Sequence, residues 1–211
     1  MFLNKFKSII APAGKIHPKY YQYIGWSFAS NVLSSTESAM STHDMLQAVG
    51  NSESSVIQTS NYIGKDIIGQ IGGLMFMAKI GREADNKPRR FLLYANMFQQ
   101  TAFMTVMLTP HCPDYFLPIA GLANVMFNIS FTAFGAINAK CIGELSNKAT
   151  NTGEIYAKIS VLNTFGSSIG LLIGLGINAM TPDGVIRLGI IPVLAAGRVY
   201  CFDRAVSSLI V

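Results

Sequence analysis

Charge is what this sequence has least of. Asp, Glu, Lys and Arg make up 13% of its 211 residues, about half the ~25% of an ordinary soluble domain. The three cysteines, Cys112, Cys141 and Cys201, are odd in number and form no CxxC pair. That argues against a disulfide framework or a zinc site and leaves them as small interior hydrophobes. No HExxH, phosphate-binding loop, nucleophile elbow or dinucleotide fingerprint occurs. An enzyme is therefore the least favoured class, and neither cofactor nor metal is expected. The net charge of +5 could point to nucleic acid, but the basic residues are not interleaved with stacking aromatics and no nucleic-acid motif is present. At the N-terminus Lys5, Lys7, Lys15 and Lys19 flank no apolar stretch long enough for a secretory signal. Residues 1–25 read as a basic amphipathic arm, followed by a single domain over 26–211.

What the sequence has in quantity is uncharged length. Phe91 to Pro110, Tyr115 to Ala139 and Ile159 to Met180 carry no charge, and each is long enough to cross a ~30 Å hydrocarbon layer. Three more segments show helical spacing. Trp26–Val49 carries Glu37, His43 and Asp44; the next runs from about Ile57 to Ala78; Val185–Val211 is interrupted by Pro192, Arg198, Asp203 and Arg204. Lys and Arg sort by alternate connections. Four lie in the N-terminal arm, five in a charge-dense loop from Lys79 to Arg90, and three in a polar loop from Lys140 to Lys158. The connections at 50–56, 109–114 and 181–184 have none. Basic residues mark the cytoplasmic side of membrane proteins. The expectation is an all-α, membrane-embedded bundle of about six helices in a lipid bilayer, with the basic loops and both termini on the cytoplasmic side.

Small residues and isolated charges supply the candidate sites. Gly69 and Gly73 notch the second helix, and Gly166, Gly170 and Gly174 line one face of the fifth; such faces let helix backbones approach closely. Lys65 and Asp66 are adjacent and so point about 100° apart on a helix. They could contact a substrate or partner helix inside the bundle, or reach the interface from its outer end. A Schiff-base role for Lys65 would need a pyridinium partner and a phosphate cradle, neither of which is legible. Gly81, Arg82, Asp85, Lys87, Arg89 and Arg90 form the charge-dense loop. Its arginines could latch onto Glu144 or Glu154, or the loop could be a solvated, topology-setting one that attracts anionic head groups. Glu37 and Asp44, seven residues apart, share a helix face with His43 offset. They could line a proton or cation path, or belong to a helix lying outside the lipid.

An ordered set of short motifs runs through the chain. Pro12-x-Gly14 and Pro18 with Tyr20–Tyr23 and Trp26 come first, then Gln47-Ala-Val-Gly50. Lys65-Asp66 with Gly69 and Gly72 is followed by Asp85-x-Lys87-Pro88-Arg89-Arg90, Asn151-x-Gly153-Glu154-x-x-Ala157-Lys158, and Arg204-Ala205-Val206-Ser207. Over residues 12–208 this order resembles the root UVB sensitive family, also described as a domain of unknown function. Ile67 departs from the glycine expected there, and Val161-Leu162 from an expected Ser-Gln. The resemblance implies a non-catalytic, multi-helix membrane protein linked to pyridoxal-phosphate homeostasis and ultraviolet-B-dependent development, working through a homo-oligomer or a related partner. It also implies that the chain is a reduced form or a fragment, since family members continue into a further C-terminal region. Within the motifs, Glu154 and Lys158 join the candidate functional residues. The Gly81, Asp85, Arg89, Arg90 spacing is also similar to the signature loop of major facilitator transporters. On that resemblance six helices would equal half a carrier, competent on pairing, for a small solute that the residues do not name.

Overall fold

The computed structural model describes residues 10–12, 16–50, 55–146, 151–181 and 184–209. Among them are six long helices and no strand. They are α1 (Tyr20–Gly50), α2 (Ser55–Asn86), α3 (Pro88–Met107), α4 (Phe116–Leu145), α5 (Thr152–Met180) and α6 (Gly184–Leu209). The all-α expectation and its helix count stand. Lys5, Lys7, Lys15 and Lys148 lie outside the described residues.

Boundaries moved where helix formers outlast the apolar pattern. The charge-dense loop expected from Lys79 shrinks to one residue. Helix α2 continues through Asn86, because Lys, Arg, Glu and Ala are all good helix formers whatever their polarity. The break comes at Lys87, with φ −138° and ψ 62°. Pro88 disfavours helical geometry in the residue before it and is itself suited to a helix's first turn. Pro110 and Pro113 turn the chain between α3 and α4 through two short 3₁₀ turns, Thr109–His111 and Pro113–Tyr115. The Lys140–Lys158 loop is largely consumed by α4 and α5. α6 runs unbroken through Pro192, and α1 begins at Tyr20 rather than Trp26.

The bundle has two ends. At one end Tyr20 and Tyr23 cluster with Phe91 and Leu92, with Cys141, Ile142 and Ile155, and with Ala205 and Val206. This brings the start of α1, the α2–α3 junction, the α4–α5 junction and the end of α6 together. Arg89 Nη2 donates to Ser207 Oγ across that end at 2.8 Å. The described parts of the connections rich in Lys and Arg therefore share one end of the bundle. Ala48, Phe116 and Ala120 close the other.

Two parallel helix pairs form the frame. On α5, Gly166 lies against Phe28, Gly170 against Val32 and Ser35, and Gly174 against Thr36 and Ala39 of α1. On α2, Gly64 lies against Leu117, Gly69 against Asn124 and Gly73 against Asn128 of α4. α6 runs antiparallel along α1, with Trp26 beside Tyr200 and Asp44 beside Arg187. α3 runs antiparallel along α4, with Phe103 beside Phe127 and Val106 clustering with Ala123. Exchanging α1–α3 for α4–α6 maps these contacts onto each other: α1–α5 becomes α4–α2, and α1–α6 becomes α4–α3. An odd number of helices per half reverses the chain direction, so the two halves share a contact pattern with opposite direction, the arrangement found in inverted repeats.

Candidate functional site

Helix α1 is the axis of the interior, flanked by α3, α5 and α6. Ser27, Ser30, Asn31 and Ser34 recur at the three- and four-residue intervals that make one helical face, and Glu37, Ser41 and Asp44 continue it. Glu37 and Asp44 are 0% and 1% exposed. A buried carboxylate must be matched by charge and hydrogen bonds, and both partners come from α6. Arg198 Nε lies 3.4 Å from Glu37 Oε2, and Gln100 Nε2 donates to both Glu37 oxygens at 3.1 and 3.2 Å. Arg198 Nη1 also donates to Gln99 Oε1, and Gln99 Nε2 donates to Ser34 Oγ at 3.3 Å. Nearer the other end, Arg187 Nη2 donates to Asp44 Oδ1 and Arg187 Nη1 to the Thr181 carbonyl at 2.6 Å. His43 Nδ1 stands 3.4 Å from the same Asp44 oxygen.

Beside the Glu37–Arg198 pair, toward the basic end, lies a cavity of about 280 Å³. α1 contributes its Ser27–Ser34 face and α3 contributes Asn96 and Gln99; Asn138 and Asn163 add amides from α4 and α5. Phe131, Phe134 and Phe202 supply aromatic wall, and Gly135 leaves a gap in it. Three buried atoms of the lining residues make no hydrogen bond among the described residues: Asn96 Oδ1, Arg198 Nη2, and Arg198 Nε, which stands 3.4 Å from Glu37 Oε2. Both side chains are buried, 2% and 3% exposed. Among the described residues no cluster of His, Cys, Asp or Glu could hold a metal. The arrangement suits binding more than bond-breaking: neutral donors and acceptors, one ion pair, and ring surfaces.

The residues singled out from sequence fall elsewhere. Lys65 is buried on α2 and reaches Asp66 Oδ1 at 2.7 Å, with Nζ 4.0 Å from the Tyr62 ring centroid. Asp66 is 45% exposed and accepts from Asn124 Nδ2 of α4 at 2.9 Å. Gly81, Arg82 and Asp85 fall on the last turns of α2, where side chains lie outside the described ones. Lys87 and Arg90 are exposed beside Asn86 and Tyr94 at the α2–α3 junction. Arg89 meets Ser207. Glu154 and Lys158 sit on the first turns of α5, and each has an interaction partner. The cavity group was missed because its signal is neutral. A Ser/Asn face on α1 and a Gln-Gln step in an uncharged run were visible, but their convergence on Arg198 was not.

The family model described as the vitamin B6 photo-protection and homoeostasis domain matches residues 1–211. Protein root UVB sensitive 4 of Arabidopsis thaliana is 25% identical over 169 residues, covering 79% of this chain and 32% of that protein. Root UVB sensitive 2, chloroplastic, of the same plant is 27% identical over 180 residues, covering 83% and 40%. RUS family member 1 of Dictyostelium discoideum is 20% identical over 218 residues, covering 99% and 41%. The chain thus spans about a third to two fifths of the length of these curated relatives. No solved structure matches it. With the family model matching from end to end and the ordered motifs in place, the chain belongs to the root UVB sensitive family.

Proposed function

We propose that this chain is a non-catalytic, membrane-embedded module of the root UVB sensitive family that serves vitamin B6 homeostasis by pairing with a second helical unit. The observation that carries the membrane reading is inverted polarity. Among the described residues two segments are long and apolar enough to cross a bilayer, Pro113–Leu145 and Thr152–Met180, with mean hydropathy 1.4 and 1.5. Only 33% and 22% of their apolar windows are buried, whereas the core helix of a water-soluble protein would be mostly hidden. Leu172, Leu175 and Met180 face outward while Glu37, Asp44, Arg187 and Arg198 face inward. That distribution suits a hydrocarbon solvent. α3, expected to match α4 and α5, falls short of them because Asn96, Gln99, Gln100 and Thr101 dilute its apolar run; of these, Gln99 and Gln100 donate to Ser34 and Glu37 of α1.

Topology supplies the test. Cys112, exposed in the turn between α3 and α4, should react with a membrane-impermeant maleimide from one face of the membrane. A cysteine introduced by Lys87→Cys in a Cys112→Ser background should react only from the opposite face, the cytoplasmic one. Labelling of both from the same face would sink the reading.

Pairing is supported by Asp66. A half-exposed carboxylate on a lipid-facing helix is expensive, so a second unit covering α2 would relieve it. In membranes, oxidation of an Ile67→Cys variant should yield a covalent pair, whereas Val193→Cys on the outer face of α6 should not. Equal cross-linking from both positions would remove the case for an α2 interface.

A second reading, half of a carrier, is favoured by the inverted repeat and by the polar cavity near mid-bundle. Carriers built from inverted repeats place their solute site between repeats, near the middle of the membrane. Its test is uptake of labelled pyridoxine by liposomes holding the protein; absence of protein-dependent flux counts against it.

A further inference from the structure

We infer that the cleft at the α2–α3 junction is a binding site for one anionic phospholipid, its phosphate held by Lys87 and Arg90 and one acyl chain running along the outer face of α3. The inference rests on the membrane reading above, and its test separates failure of that reading from failure of the site.

The cleft comes from the way the chain breaks. The turn at Lys87, between the end of α2 and the start of α3 at Pro88, leaves a cavity of about 360 Å³ lined by Asn86, Lys87, Arg90, Phe91 and Tyr94. Phe91 is buried in the core cluster of the basic end and gives the cleft a fixed wall. The other four are exposed. Like charges lining one cleft repel, and an anion between them turns that repulsion into attraction.

Neighbouring basic groups are already engaged. Arg89 donates to Ser207, Arg204 Nε donates to the Tyr200 hydroxyl at 3.3 Å, and Lys140 and Lys158 have interaction partners. Among the described residues neither Lys87 nor Arg90 has a carboxylate within ion-pair distance. A phosphate diester offers what the cleft lacks. The guanidinium presents a planar donor fork that matches two phosphate oxygens, the ammonium adds a point charge, and Asn86 brings an amide.

Free phosphate and lipid phosphate share that chemistry, and the face leading away from the cleft decides for the lipid. Arg90, Tyr94 and Met97 recur at four- and three-residue spacing, so they share one side of α3, and all three are exposed. From the end of the bundle inward, that side passes from charge through an amphipathic ring to an apolar chain. Head group, interface and hydrocarbon follow in the same order in a bilayer. The lipid must be anionic, because the ammonium of a zwitterionic head group would offset its own phosphate and be repelled by both cations.

Tryptophan reporters read the site. Trp26 is the sole tryptophan, so Tyr94→Trp in a Trp26→Phe background places one indole at the cleft. Leu108→Trp in the same background places it at the other end of α3. Each full-length variant would be put in nanodiscs of phosphatidylcholine and phosphatidylglycerol, with one or the other lipid brominated on its acyl chains, and quenching measured. At the Tyr94→Trp reporter phosphatidylglycerol should be preferred by at least about fivefold, less so in high salt. The Leu108→Trp reporter should show no preference. Adding Lys87→Gln and Arg90→Gln together should bring the preference at the cleft to about one. Arg90→Gln alone should lower it at least about twofold, whereas Arg89→Gln, the same charge change one residue away, should leave it unchanged.

Quenching without preference, equal preference at both reporters, or an equal loss from Arg89→Gln would each overturn the site and spare the membrane reading. Loss of the preference on adding inorganic phosphate at constant ionic strength would assign the cleft to a free anion and overturn the lipid. Absence of quenching at either reporter by any brominated lipid would overturn the membrane reading, and the site with it.

Discussion

Gly170→Ala will destabilise this protein far more than Gly176→Ala, six residues further along the same helix. A methyl at Gly170 would overlap the Val32 carbonyl oxygen and stand 2.8 Å from Ser35 Cβ and 3.1 Å from the Thr36 amide nitrogen. Those neighbours are largely backbone, so no rotamer change relieves the clash and α1 and α5 must separate. Separation also breaks the bond from Thr36 Oγ1 to the Gly170 carbonyl at 3.1 Å. Overpacking of this kind typically costs about 1–3 kcal/mol, and more where backbone must move; the upper end is expected here. At Gly176 nothing lies within 4 Å. Alanine there should leave stability unchanged or raise it by up to about 1 kcal/mol through helix propensity. Thermal unfolding of detergent-purified protein followed by size-exclusion chromatography reads both. Matching midpoints for the two variants would mean that α1 and α5 do not meet at Gly170.

Arg198→Met should be comparably damaging, and Glu37→Leu should rescue it. Removing one partner of a buried ion pair strands the other, at about 3–5 kcal/mol. Glu37 is fully buried and would keep only its bonds from Gln100. The double variant Glu37→Leu/Arg198→Met deletes both charges and should recover most of the lost stability, because apolar replacements of similar volume often equal a buried pair. Additive losses in the double variant would show that the two side chains do not act as a pair. For Asp44 and Arg187 the same reasoning holds with one addition: Arg187 also grips the Thr181 carbonyl at the end of α5, so its loss should loosen the α5–α6 turn as well.

The inverted arrangement of α1–α3 and α4–α6 connects these two predictions. The glycine face of α5 on α1 and that of α2 on α4 occupy equivalent places in the two halves, and the cavity lies where the halves meet. Close backbone packing along both pairs makes each a stiff unit. α4 and α5 share far fewer contacts, and the mouth at Phe131 opens beside α4 where that packing is thin. The Asp66–Asn124 bond of α2 and α4 belongs to the corresponding seam of the frame.

Much of the scaffold could be read from composition and spacing. Uncharged runs, proline punctuation and the sorting of lysine and arginine are local properties, and together they specify six helices, their order and which connections share an end. The four-residue glycine spacing marks a close-packing face. The ordered motifs identify the family. Helix ends were less legible, as at Lys79–Asn86, because polar helix formers extend a helix past the point where its apolar face stops. Pairings between helices were not legible at all. Periodicity says which residues share a face but not which face they meet, and Glu37 and Arg198, or Asp44 and Arg187, are joined only when α6 folds back along α1. The cavity exists only once those partners are set, since its serines, amides and phenylalanines come from five helices and carry no pattern of their own. Local spacing determined the elements; long-range packing decided where their polar groups converge.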